Sequence, residues 1–176
     1  MNFGFVRNDS GAINIRRCEA NRKEQKMKYA ILTVSIAAGD FLLKKHMEER
    51  LAWGERKPIC KGKIVLRKYH NHGIAFNFLE KHSGLVKVLC ASLMLSLAIC
   101  WCILLQKKHA SGLLWGLSFL LGGGASNLYD RAVRGYVVDY FSFQTPLKWL
   151  NRIIFNVSDL CIFLGGIIVF IKRNTR

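Results

Sequence analysis

Eight polar residues sit where this chain turns from apolar to polar: Asp40, Asn71, Asn127, Asp130, Arg131, Asp139, Asn156 and Asp159. Two carboxylates drawn together cannot both ionise easily. One keeps a proton and can act as an acid, while the other can activate a water. Asparagine amides and a guanidinium beside such a pair supply donors that would hold a peptide or an ester. Asp159 lies seven residues past Arg152. If that run is helical from Ile153, Asp159 is roughly 10 Å inside an apolar span, where an aspartate costs about 2.5–3.5 kcal/mol and needs a partner, water or a proton. Asn156 shares its helical face, and Asn127 and Arg131 share another. Asp130 is four residues from Arg134, an ion-pair spacing, and is expected to be structural. Cys60, His70 and His72 make a weak metal candidate without ligand spacing, and the histidines are expected in a surface strand. No cofactor or metal is expected.

Those residues must be positioned by membrane-embedded elements. The chain is 51% hydrophobic yet carries a net charge of +16. The two agree if apolar residues form spans and the charges lie between them. Four apolar runs are visible: Tyr29 to Leu43, Gly84 to Leu105, about Ser111 to Tyr129, and about Ile153 to Ile171. The first is short, and Lys28 and Lys44 are expected to snorkel outward from its ends. None shows the period-two alternation of a membrane strand. Gly112 and Gly116, then Gly122 to Ala125, offer small faces for close helix packing. Of the six cysteines, Cys90, Cys100, Cys102 and Cys161 lie in apolar runs as small hydrophobes, and no CxxC pair occurs.

Residues 1–26 read as a flexible, polar, basic tail, and 27–176 as one domain of four transmembrane helices. Between the first two runs, about 44–83 predicts a small strand-rich lobe. The aromatics Tyr140, Phe141, Phe143 and Trp149 suit a membrane–water interface. The fold class is mainly α, a membrane protein with a strand-rich extracytoplasmic lobe. The basic residues border apolar runs, so a nucleic-acid partner is excluded in favour of membrane phospholipids.

Four spans place both termini on one side and gather every residue of the opening set on the other. No acid occurs from Lys81 to Tyr129 or from Leu160 to the end. Lys and Arg are balanced, twelve on the terminal side and thirteen in the two opposite loops. Short segments obey the positive-inside rule best, and Lys107, Lys108, Lys172 and Arg173 then place the termini in the cytoplasm.

Four motifs in order resemble the lipoprotein signal peptidase (signal peptidase II) family. Asn71 to Phe76 resembles N-x-G-x-A-F, and Gly123 to Arg131 resembles G-G-A-x-G-N-L-x-D-R. Gly135 to Tyr140 resembles G-x-V-V-D-F, and Phe155 to Asp159 resembles F-N-x-A-D. Asp40 with Lys44 also matches, and the resemblance covers residues 28–171. It implies a monomeric four-helix inner-membrane aspartic endopeptidase with cytoplasmic termini. Such an enzyme removes the signal peptide of diacylglyceryl-modified prolipoproteins just before the lipidated cysteine. The resemblance makes Asp139 and Asp159 catalytic, with Asp40, Asn71, Asn127, Arg131 and Asn156 lining the site. Ser126 stands where the family usually has Gly, and Ser158 where it usually has Ala.

Two rivals come from other classes. A proton-coupled transporter also buries acids, but would place them on both halves of its path, and here one half has none. An assembly factor would need no acid pair. A presenilin-type protease would carry G-x-G-D, whereas Gly135 lies four residues before Asp139.

Overall fold

The computed structural model describes residues 9–73, 82–107 and 110–175, with side chains from residue 23 onward. The chain is mainly helical with a small antiparallel sheet. Four helices, α1 (Asp9–Arg50), α2 (Ser83–Leu104), α3 (Ser111–Val133) and α4 (Val157–Asn174), are joined by strands β1 (Lys57–Ile59), β2 (Ile64–Asn71) and β3 (Val137–Phe143). The sheet order is β1-β2-β3.

The first helix is longer than its apolar run at both ends. Residues 9–26, expected as a flexible tail, continue the same helix. Ala, Glu, Gln, Lys and Arg propagate a helix well once a nucleus exists, and the apolar run downstream supplies it. The first eight residues of that tail lie outside the described residues. At the other end α1 continues past Leu43 to Arg50, so the expected lobe starts only after seven more helical residues. The motif residues 74–76 also fall outside the described residues.

Helix α3 is the hub, and its glycines set how closely its partners approach. A Cβ on Gly122 would meet the Thr33 carbonyl of α1 at 2.9 Å. One on Gly123 would meet the Ser158 carbonyl of α4 at 2.5 Å, and one on Gly116 the Gly165 carbonyl at 3.0 Å. Gly124 faces Met94 of α2. The small faces read from the sequence thus point to three different neighbours. Tyr29, Ala110 and Leu114 form a buried apolar cluster with Trp101 and Leu104 packed against it.

The surface of this bundle is apolar and part of its interior is polar. Leu93, Leu95, Phe163 and Phe170 are all more than 60% exposed, whereas Asp40, Lys44 and Asp130 are at most 1% exposed. Helix α2 is long and apolar enough to cross a membrane, the one helix that is so by length and composition among the described residues. Helices α3 and α4 give up hydropathy to glycines and polar residues.

The strand-rich lobe forms as expected around β2, but β3 joins it from the second loop. Register runs from Ile64 opposite Phe143 to Asn71 opposite Val137. An irregularity between Leu66 and Tyr69 gives β2 one extra residue. Such a bulge re-aims side chains, and Arg67 there donates to the carbonyls of Asn151 and Arg152 at 3.3 and 3.4 Å. The lobe is pinned to the last turns of α1 through His70, whose Nε2 meets Glu48 at 3.0 Å. Tyr136 stacks on that imidazole at 3.7 Å. Tyr140 and Phe141, expected at an interface, are buried strand residues; Trp149 is 60% exposed. Burial wins for the first two because β3 is covered by the helices.

The α3–α4 approach predicts a steric test. Gly123→Ala forces its methyl group against the Ser158 backbone and should cost about 1–3 kcal/mol. Gly39→Ala, which meets nothing within 4 Å, should be neutral or slightly stabilising. Thermal unfolding of the two purified variants checks this; equal midpoints would refute the close-packing account.

Candidate active site

Asp139 and Asp159 come together where β3 and the start of α4 meet the ends of α1 and α3. The chain before α4 is extended: Phe155 bridges to Phe141, its N–H donating to the Phe141 carbonyl at 2.7 Å. A 3-10 turn, Leu150–Arg152, precedes it. Helix α4 therefore begins at Val157 and not at Ile153, because its start is taken up by strand pairing and an N-cap. Asp159 is the third helical residue, so the depth expected from a helix starting at Ile153 does not apply.

Asn156 is that cap. Its Oδ1 accepts from the Asp159 N–H at 2.9 Å, and Asp159 Oδ2 accepts from the Asn156 N–H at 3.1 Å. This reciprocal arrangement satisfies two of the helix's orphan donors. The free end of the same amide, Nδ2, donates to Asp139 Oδ1 at 2.7 Å. Asn156 is fully buried and ties Asp139 and Asp159 together. Asn71 Nδ2 donates to the other Asp139 oxygen at 3.2 Å, and Asn127 Nδ2 donates to Asp159 Oδ1 at 3.0 Å. Among the described residues, each carboxylate thus accepts two hydrogen bonds and faces no cation directly. Asp139 is 2% exposed, while Asp159 is half-buried and the more open of the two.

Burial pushes the Asp139 carboxyl up to about 7, and the Asp159 charge acts in the same direction. The Asn156 and Asn71 donors and the Lys44 ammonium pull it back. Burial, and the Asp40 charge, also raise the Tyr140 phenol, which stays protonated.

Asp40 does not join the other two acids. It lies behind them with both oxygens filled. Oδ2 takes Lys44 Nζ at 2.8 Å and the hydroxyls of Ser126 and Ser158 at 2.7 and 2.6 Å. Oδ1 accepts from the Tyr140 hydroxyl at 3.1 Å and the Ser158 N–H at 3.3 Å. The Tyr140 oxygen in turn accepts from the Val157 N–H at 3.1 Å. Asp40 therefore braces the first turn of α4 and the strand that carries Asp139. Arg131 spans from the Asn127 carbonyl at 3.3 Å to the Gly73 carbonyl at 2.9 Å, holding the turn after β2 against α3.

Asp130 is buried, accepts from the Val138 N–H at 3.3 Å and meets Arg134 at 3.5 Å, as the spacing suggested. It also meets Lys44 at 3.1 Å. Lys44 was expected to reach outward; it is fully buried instead. It points inward because α1 and α3 offer it four acceptors there. Lys44, Tyr140, Ser126 and Ser158 are the site residues that sequence reasoning missed. Lys44 carried two usable signals: with Asp40 it matched the family pattern, and it is four residues from Asp40, an ion-pair spacing at the end of an apolar run. His70 is taken up by Glu48 and Tyr136, and no group of three His, Cys, Asp or Glu with metal-binding geometry occurs among the described residues.

The family model described as signal peptidase (SPase) II matches residues 31–174. Similar curated proteins include the lipoprotein signal peptidase of Ectopseudomonas mendocina, 29% identical over 145 residues, covering 81% of this chain and 85% of that protein. That of Brucella ovis is 31% identical over 145 residues with the same coverage. Among solved structures, a bacterial membrane enzyme determined by the in meso method at 2.3 Å resolution superposes with a TM-score of 0.72 at 18% identity, covering 84% of this chain and 88% of that one. A second, at 1.9 Å resolution, gives 0.67 at 19% identity, covering 82% and 91%. These two establish the fold alone.

The raised Asp139 carboxyl has a stability consequence. An unfolded aspartate titrates near 3.9, so the folded chain holds this proton more tightly. The contribution of this group to folding is full below about pH 4 and is lost as pH rises towards about 7. Asp139→Asn removes that loss. It should match the parent's stability in acid and exceed it above neutrality, by on the order of a few kcal/mol. Unfolding midpoints across pH read this out; a variant less stable than the parent above neutrality would contradict it.

Proposed function

We propose that this chain, which belongs to the signal peptidase II family, is an aspartic endopeptidase of a bacterial inner membrane. Its substrates are diacylglyceryl-modified prolipoproteins, cut just before the lipidated cysteine. The observation that carries the reading is Asn156, whose buried side-chain amide donates to the Asp139 carboxylate and accepts from the Asp159 N–H, while its own backbone N–H donates to the Asp159 carboxylate. One residue thereby ties the Asp139 carboxylate and the first turn of α4, which carries Asp159, to each other.

The chemistry follows from their unequal surroundings. Asp139, the more enclosed, holds the shared proton and donates it to the scissile carbonyl oxygen. Asp159, more open and steadied by Asn127 and the Asn156 N–H, takes a proton from the attacking water. The tetrahedral intermediate then collapses as a proton passes to the leaving nitrogen. The pair titrates jointly, so an activity profile reports the pair. Asn71 and Arg131 border the approach and offer donors to the substrate backbone.

The apolar exterior supports a lipid setting. Exposed leucine, isoleucine and phenylalanine side chains on α1, α2 and α4 are stable where no water meets them. In this reading the four helices span the membrane, both termini face the cytoplasm and the sheet lies on the outer side. The acyl chains of the substrate lie against the apolar helix walls, beside membrane phospholipids. Residues 27–176 act as one monomeric peptidase domain.

Cleavage of a diacylglyceryl-modified prolipoprotein by the purified chain tests this. Asp139→Asn and Asp159→Asn should each lose at least about a thousandfold in kcat/KM while remaining folded. Near-normal turnover by either folded variant refutes the acid pair. Acid-driven flux in liposomes without any cleavage would move the chain to the transporters.

A further inference from the structure

Lys44 is a cation sealed inside the protein, and its neighbours account for every N–H it has. Four acceptors lie within reach: Asn127 Oδ1 at 2.7 Å, Asp40 Oδ2 at 2.8 Å, Asp130 Oδ2 at 3.1 Å and Ser126 Oγ at 3.2 Å. An ammonium has three donors and no acceptor, so the Asn127 carbonyl oxygen must face it. The other end of that amide is then turned to Asp159, where Nδ2 donates to Oδ1 at 3.0 Å. Were the amide reversed, its oxygen would meet the Asp159 carboxylate lone pair to lone pair. The direction of one amide, and with it one of the two donors to Asp159, depends on a lysine that touches neither acid of the pair.

The charges around it give Lys44 a second role. Asp40 faces it from α1 and Asp130 from α3; Asp139 and Tyr140 of β3 and Asp159 of α4 lie beyond them. Among the described residues, the two other cations nearby, Arg131 and Arg134, are engaged elsewhere. Arg131 binds the carbonyls of Asn127 and Gly73, and Arg134 meets the far oxygen of Asp130. Low-dielectric surroundings make a fixed charge act over longer range than it would in water.

We propose that Lys44 is a positioning residue of the reaction. Its ammonium orients Asn127 towards Asp159 and supplies the positive charge that keeps one carboxylate of the acid pair ionised at neutral pH. The inference rests on the peptidase reading, and it adds to it the group that sets the protonation of the pair from behind.

The test measures kcat and KM against pH, with thermal unfolding, for the full chain and for Lys44→Met, Lys44→Arg and the Lys44→Met/Asp130→Asn double variant. Lys44→Met should lower kcat by about 10- to 100-fold with KM nearly unchanged. The acid limb of its profile should move up by about one pH unit, since a lost cation makes the base harder to ionise. The double variant, which removes a positive and a negative charge together, should bring the limb back towards the parent. Lys44→Arg should keep it in place. A purely structural lysine would lower the unfolding midpoint and leave the limb where it was, and that result overturns the proposal. If Lys44→Met does not fold, an upward shift of the limb in Lys44→Arg overturns it. If the parent cleaves no prolipoprotein, the peptidase reading fails on its own. Lys44 is then judged by the infrared band of protonated carboxyl in the same proteins. That band should persist to higher pH in Lys44→Met, and an unchanged band there refutes the role. Should Lys44→Met not fold, a band that persists to higher pH in Lys44→Arg than in the parent refutes the role.

Discussion

A buried ammonium in contact with two buried carboxylates is the constraint from which the rest of the structure follows. Moving such charges out of water costs several kcal/mol for each ion, and Coulomb attraction offsets this only with near-ideal geometry and further hydrogen bonds. Lys44 and Asp40 meet that condition by drawing on every element around them. α3 supplies Ser126, Asn127 and Asp130, α4 supplies Ser158, and β3 supplies Tyr140. None of α1, α3 and α4 can shift along its neighbours without stranding one of these charges. The glycines of α3 serve the same end, since only close approach lets such short side chains as Ser126 and Ser158 reach a common oxygen.

The polar interior is balanced by an exterior with the opposite character. In a water-soluble domain the driving force is burial of apolar surface, and polar groups are carried inward at a cost. Here the large apolar side chains of α2 and α4 stay outside, so hydrogen bonds and packing of small residues carry the cohesion of the bundle. The sheet is attached differently. It is held by a strand bulge, a capped turn and the His70–Glu48 contact, all at the polar end.

Much of this was legible in the sequence. Apolar runs located α2 and α3 to within a few residues, and the clustering of acids at alternate run ends pointed to the end of the bundle where Asp40, Asp130, Asp139 and Asp159 lie. Asp130 and Arg134 announced their contact through spacing. What stayed hidden has physical causes. The start of α4 moved because Phe155 pairs with a strand, a long-range contact that no local pattern records. The inward turn of Lys44 depends on acceptors far away in the chain, whereas snorkelling was the local option. Asp40 was grouped with residues lining the site; it lies one layer behind, since its two oxygens are filled from four elements. Ser126 and Ser158 stood out as departures from a family pattern, but only the fold brings both hydroxyls to one carboxylate oxygen.

The spacing of Asp40 and Lys44 has a bearing on biosynthesis. A ribosome releases α1 before α3 exists, so Asn127, Asp130 and both serines are absent when the first helix is made. Two opposite charges one turn apart on the same helix neutralise one another without outside help. The nascent segment thus carries its own temporary counter-ion while it waits in apolar surroundings. The later helices then exchange that provisional pairing for the completed network.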